Sequence, residues 1–127
     1  MKLLVDTQVF LWSVQDQAHL PGPILRVLER PDAELFLSAA SLWEARLKHE
    51  KGKLPLKDDV LALALDFLGA SERFLSITAN HAAHTLRDPP ATLDPFDRLL
   101  LAQCDLDDMR LLTADRALKG HRLAVGV

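Results

Sequence analysis

Short apolar runs alternate with helix-patterned segments along the whole chain, and that order is the tightest constraint on its fold. Residues 2–5, 34–37, 73–77, 110–113 and 122–125 read as strands. Between them the spacing predicts helices over 7–14, over the segment carrying Ile24, Leu25, Val27 and Leu28, over a segment capped by Ser38 or Ser41 and running to about 51, over 58–68, over 79–86 and over 95–106. Strands separated by helical segments imply crossover connections, hence a parallel sheet with helices on both faces. The strands are almost continuously apolar, as a sheet buried on both sides requires. The expectation is a three-layer α/β/α fold with a central parallel sheet of about five short strands. At 127 residues the chain suits a single domain over 1–127 with one core.

Local punctuation agrees with these bounds. Gly52 and Gly69 end helices, and Pro21 or Pro23 can open one. Asp94 is a good N-cap, and Pro95 suits the first helical position after it. No apolar run approaches the roughly 20 residues of a membrane span. Asp6 comes too early for a signal peptide, so a cytoplasmic location and no membrane partner are expected. The single cysteine, Cys104, excludes an internal disulfide and a cysteine-based zinc site; it reads as a small core residue.

In a parallel sheet of this kind, sites form beyond the carboxyl ends of the strands. Asp6 directly follows the first strand, and Asp115 lies two residues past the strand holding Leu111 and Leu112. Glu44 falls in the helix after the second strand and shares a face with Ala40 and Leu47. Asp97 falls in the first turn of its helix, on a face with Leu100 and Leu101. Each acid also has a purely structural reading. Asp6 and Asp115 can cap the helices that follow them, Glu44 can close a capping box with Ser41, and Asp97 can favour the helix dipole. Those readings do not account for four acids at one expected sheet edge, two of them beside apolar residues. Bare, such a cluster repels itself. A divalent cation offsets that repulsion, and oxygen-only ligands favour Mg²⁺ or Mn²⁺ over zinc. The simplest matching chemistry is phosphodiester hydrolysis by metal-activated water.

The segments VDTQVFLW, LSAASLWEARLKHEKGKL, LDPFDRLLLAQ and LLTADRAL, in this order and spacing, resemble PIN-domain proteins of the VapC toxin type. The resemblance spans nearly the whole chain. It implies a PIN-like fold, a metal-dependent endoribonuclease, and the toxin role in a toxin–antitoxin pair. It also implies RNA as substrate, a small antitoxin as partner and a homodimeric state. The family's acids correspond to Asp6, Glu44, Asp97 and Asp115, as catalytic residues and metal ligands. Its supporting hydroxyls correspond to Thr7 and Thr113. The chain departs from the pattern at Thr92 and Leu93, where close relatives often carry His and Arg.

The net charge of −3 gives no global basic signature for nucleic acid, although a metal site contributes negative charge of its own. A basic run around Arg46, Lys48, His49, Lys51, Lys53 and Lys57 is either an RNA-gripping surface or a solvated helix face. Arg98 and Arg116 each adjoin an acid and could contact phosphate or pair structurally. His81 and His84 are spaced for a metal pair, but no third ligand of that kind accompanies them, so ordinary structural histidines are expected. Trp12 and Trp43 are expected in the core or at a subunit interface. Two other functions compete with the nuclease. One is a catalytically silent PIN module that binds RNA or a partner protein. The other is a phosphatase with Asp6 as nucleophile, disfavoured because Gln8 stands where such enzymes commonly place a second Asp.

Overall fold

The computed structural model describes residues 1–125. Its strands are β1 (Lys2–Val5), β2 (Glu34–Ser38), β3 (Phe74–Leu75) and β4 (Arg110–Leu112). Its helices are α1 (Thr7–Gln15), α2 (Gly22–Leu28), α3 (Ala39–Glu50), α4 (Val60–Leu68), α5 (Ala79–Ala83) and α6 (Pro95–Asp107). The strands form one parallel sheet in the order β3-β2-β1-β4. In register, Leu3 lies between Leu35 and Arg110, and Leu4 between Phe36 and Leu111.

Side-chain alternation along β1 creates the three layers. Leu3 and Val5 pack with Val9, Phe10, Ile24, Val60 and Ala64, which places α1, α2 and α4 on one face. Leu4 packs on the other face with Leu100, Leu101, Cys104 and Leu111, which places α6 there. Both faces of β1 are therefore apolar core, as its unbroken hydrophobic run requires. Cys104 is buried as a small core residue, and its burial raises the thiol pKa well above its ordinary value.

The strand count differs from the expectation of about five. The expected strand at 122–125 is reduced to a single parallel bridge between Ala124 and Leu111. The segment before it is committed to a turn, in which Arg122 forms a bidentate pair with Asp88 at 2.9 and 3.0 Å. The expected strand at 73–77 shrinks to Phe74–Leu75. Thr78 then opens α5 through a capping box with His81, drawing the chain off the sheet edge.

Helix ends follow local chemistry. Ser38, not Ser41, caps α3 by accepting from the Ala40 N–H at 3.0 Å. Asp59 caps α4, so this helix begins at Val60 rather than at 58, and Gly69 ends it in the left-handed region at φ 74°. Asp108 ends α6 in the same region, at φ 54°, an uncommon conformation outside glycine that aspartate tolerates better than most residues. The sheet reverses its strand order between β1's two neighbours, β2 and β4. That reversal is the switch point beyond which such folds place their sites.

Candidate active site

The chain leaves β1 at Asp6 and leaves β4 at Thr113, two neighbouring strand ends. Thr113 joins them. Its Oγ1 donates to Asp6 Oδ2 at 2.8 Å and accepts from the Asp115 N–H at 3.0 Å, so one buried hydroxyl fixes two acid-bearing segments. The Asp6 N–H donates to the Leu112 carbonyl at 2.9 Å, which carries the sheet ladder right up to the acid. Asp6 stands at the N-cap of α1, but its side chain makes no capping bond and faces the cleft instead.

A cleft of about 310 Å³ opens over these strand ends. Asp6, Thr7, Glu44, Asp97 and Asp115 all line it, together with Asp94 and Lys48. Leu11, Trp12, Leu54 and Ala114 supply an apolar wall. Thr7 is buried, and its Oγ1 has no hydrogen-bond partner among the described residues, leaving a hydroxyl at the cleft with its bonding capacity unused.

Each acid reaches the cleft by a different local device. Glu44 projects from the middle of α3 and is buried there, paired with Lys48 one turn along at 3.0 Å. The Ser41–Glu44 capping box does not form; the Ser41 hydroxyl is buried without a partner among the described residues. Asp97 sits in the first turn of α6, where Asp94 Oδ1 accepts from the Phe96 and Asp97 N–H groups at 2.8 and 3.2 Å. Asp115 accepts from the Ala117 N–H at 2.9 Å, capping a turn rather than the expected helix.

The electrostatics of the cleft register in two carboxyls. Burial pushes Asp6 up to about 6, against the Thr113 hydrogen bond that favours its anion, with Glu44 and Asp115 adding repulsion. Burial pushes Asp97 up to about 7, with Asp94, Asp6, Asp115 and Glu44 adding repulsion in that order. Both shifts describe a site that disfavours its own full ionisation unless a cation is present. Among the described residues no three His, Cys, Asp or Glu side chains already form a finished metal-binding group. The acids share a cleft without closing into a cage.

Residues 3–122 match the PIN-domain family profile. The chain belongs to the PIN-domain family. This PIN domain is also 31% identical over 121 residues to Ribonuclease VapC22 of Mycobacterium tuberculosis (strain ATCC 25618 / H37Rv), a match covering 94% of this chain and 92% of that protein. The PIN domain is thus of the VapC type. Among its described residues no helix is long and apolar enough to cross a membrane.

The basic candidates divide. Lys48 lines the cleft. Arg46 does not: it pairs with Glu50 at 2.8 Å and lies over the Trp43 ring. Arg98 donates to the Thr92 carbonyl at 3.2 Å and so braces the loop that leads into α6. Arg116 is exposed on the turn after Asp115. His81 and His84 form no metal pair; they bond separately to Asp107 and Asp105 at 2.7 and 2.8 Å. Trp43 is 52% exposed rather than core, whereas Trp12 packs partly against the core and partly lines the cleft. Asp94 was legible as a helix cap and not as a cleft residue. Its spacing of three from Asp97 was the available signal, since it puts both carboxyls on the first turn of one helix.

Proposed function

We propose that this PIN domain is a Mg²⁺- or Mn²⁺-dependent endoribonuclease, acting in the cytoplasm as the toxin of a toxin–antitoxin pair. One observation carries the reading: acids from separate segments of the chain line a single cleft whose burial and mutual repulsion hold Asp6 and Asp97 above their ordinary range. The VapC-type sequence, and a relative that bears the name ribonuclease, supply the substrate class.

The donor set suits the proposed ion. It is made of carboxylate and hydroxyl oxygens, which favour hard cations. Mg²⁺ keeps several waters and takes only one or two carboxylates directly, so a row of acids without a closed cage is an adequate host. Asp6, Glu44, Asp97 and Asp115 would hold it, and it would supply Lewis-acid polarisation of the phosphodiester and an activated water. The remaining work falls to the chain. Thr113 keeps Asp6 and Asp115 at fixed strand ends, and Asp94 holds the first turn of α6 so that Asp97 faces the cleft. Thr7 offers a further oxygen at the rim of Asp6. Lys48 contacts RNA phosphate inside the cleft, and Arg46, Arg98 and Arg116, which do not line it, are candidates for contacts outside it. A small antitoxin covers this cleft in the resting complex, and the toxin acts as a homodimer.

The test is cleavage of single-stranded RNA by the purified chain with Mg²⁺, with Mn²⁺ and after chelation. Cleavage that needs the ion and disappears in Glu44→Gln supports the proposal. Undiminished cleavage after exhaustive chelation overturns it. Expression of the chain alone should slow bacterial growth, and Glu44→Gln should relieve the effect.

A further inference from the structure

Lys48 is the cationic side chain that lines the acid cleft among the described residues. Its Nζ donates to Glu44 Oε2 at 3.0 Å. The two partners are unequal: the Lys48 side chain is 51% exposed and the Glu44 side chain 10%. Glu44 is held by its place in the middle of α3 and by its burial. Lys48 is the partner that can leave, because an ammonium on a flexible four-carbon stem rotates freely and an ion pair with one exposed member is weak. The other basic candidates lack this position: Arg46 is engaged with Glu50, Arg98 with the Thr92 carbonyl, and Arg116 is exposed and does not line the cleft.

A divalent cation at this cleft competes with the Lys48 ammonium for the Glu44 carboxylate. We infer that Lys48 neutralises Glu44 only while the cleft lacks a divalent ion, and that ion binding releases its ammonium to an RNA phosphate. The inference rests on the metal-dependent nuclease reading above. It makes Lys48 an RNA-contacting residue that couples two binding events: ion binding strengthens RNA binding, and RNA strengthens ion binding by the same factor. The metal-free protein then holds RNA weakly, because the cleft's lysine is engaged by its own acid.

The experiment uses Ca²⁺ and a labelled single-stranded RNA of mixed sequence. Ca²⁺ affinity is measured by calorimetry for wild type and Lys48→Gln, and RNA affinity by fluorescence anisotropy over a salt series, with and without saturating Ca²⁺. Removing a competing charge should tighten Ca²⁺ binding about five-fold, a modest figure because the lysine is half exposed. With Ca²⁺ present, Lys48→Gln should weaken RNA binding and lower the salt slope by about 1, the signature of one lost phosphate contact. In chelator the same substitution should leave the salt slope unchanged, because the lysine makes no phosphate contact there, and should lower RNA affinity less than with Ca²⁺, only through the Glu44 charge it uncovers. In chelator and a Glu44→Gln background, where the lysine is already free, Lys48→Gln should again weaken RNA binding. Lys48→Arg should keep the Ca²⁺-dependent RNA affinity. Equal Ca²⁺ affinity in wild type and Lys48→Gln, or an equal loss of RNA affinity with and without Ca²⁺, would overturn the inference alone. Absence of divalent-ion binding in wild type, with Ca²⁺ and with Mn²⁺ alike, would overturn the metal-dependent reading and this inference with it.

Discussion

Thr113 donates its hydroxyl proton to Asp6 at 2.8 Å, joining two residues 107 positions apart at the carboxyl ends of adjacent parallel strands. The same oxygen accepts from the Asp115 N–H, so the bond orients both a buried carboxylate and the segment carrying another acid. Thr113→Val keeps the shape and removes both bonds. It should cost about 1–3 kcal/mol of stability, the usual penalty for buried polar groups left unpaired. It should also weaken Mn²⁺ binding by about 10–100-fold, as losing a group that orients a ligand does. Thr113→Ser should retain most of both. Chemical denaturation and Mn²⁺ titration measure the two effects, and unchanged Mn²⁺ affinity in Thr113→Val would deny the orienting role.

Asp97 lies in the α6 first turn with repulsion from four other acids. Asp97→Asn should leave the fold intact, because its backbone N–H, which Asp94 caps, is unaltered. RNA cleavage in that variant should fall by about 100-fold or more, as expected for a residue that positions the ion. A timed RNA digestion at saturating Mg²⁺ measures this. Wild-type rates would remove Asp97 from the mechanism.

The pH dependence of the chelated protein follows from two raised carboxyls. Asp6 titrates at about 6 and Asp97 at about 7 in the folded state, both above their unfolded value of 3.8. The folded state therefore binds protons more readily. The associated stability is complete below pH ~4 and is lost as pH rises through those folded values. Melting temperature in chelator should decline between about pH 4 and 7, and Mn²⁺ added at pH 8 should restore it by binding the folded state. The decline should flatten in the Asp6→Asn, Asp97→Asn double variant. Asp88 acts in the opposite sense at acid pH: Arg122 lowers it to about 2, so its contribution fades only as pH falls toward that value.

His81 is 4% exposed, and both ring nitrogens are engaged. Nδ1 accepts from the Thr78 N–H at 3.0 Å, so Nε2 carries the proton and donates to Asp107 Oδ2 at 2.7 Å. His81→Ala should cost about 1–3 kcal/mol by leaving buried groups unpaired. It should leave Mn²⁺ affinity unchanged, which separates its structural role from the metal role that its spacing from His84 would permit. Thermal unfolding and Mn²⁺ titration on one preparation decide between the two.

Period and punctuation determined most of the architecture. The short apolar runs at 3–5 and 111–112 suit strands buried on both faces, and the helix-patterned segments between the strands suit crossover connections. Asp6, Asp97 and Asp115 were expected at one edge because strand ends and first helical turns occupy predictable places in such a sheet, whereas Glu44, in the middle of α3, reaches the cleft through the packing of that helix. Tertiary structure alone decided the rest. Residues 122–125 have strand chemistry, yet Arg122 closes on Asp88 and leaves one bridge at Ala124. Arg46 and Lys48 are equally basic and two positions apart, but about 200° of helical turn separates them, and only the packing of α3 decides which one meets the cleft. Asp94 became part of the lining of that cleft, and Thr113 became the tie between two acids through a bond that spans the chain. Sequence pattern encodes which face of an element is apolar. It does not encode which neighbour that face will meet, and the partner sets the charge, the burial and the reach of every side chain in the site.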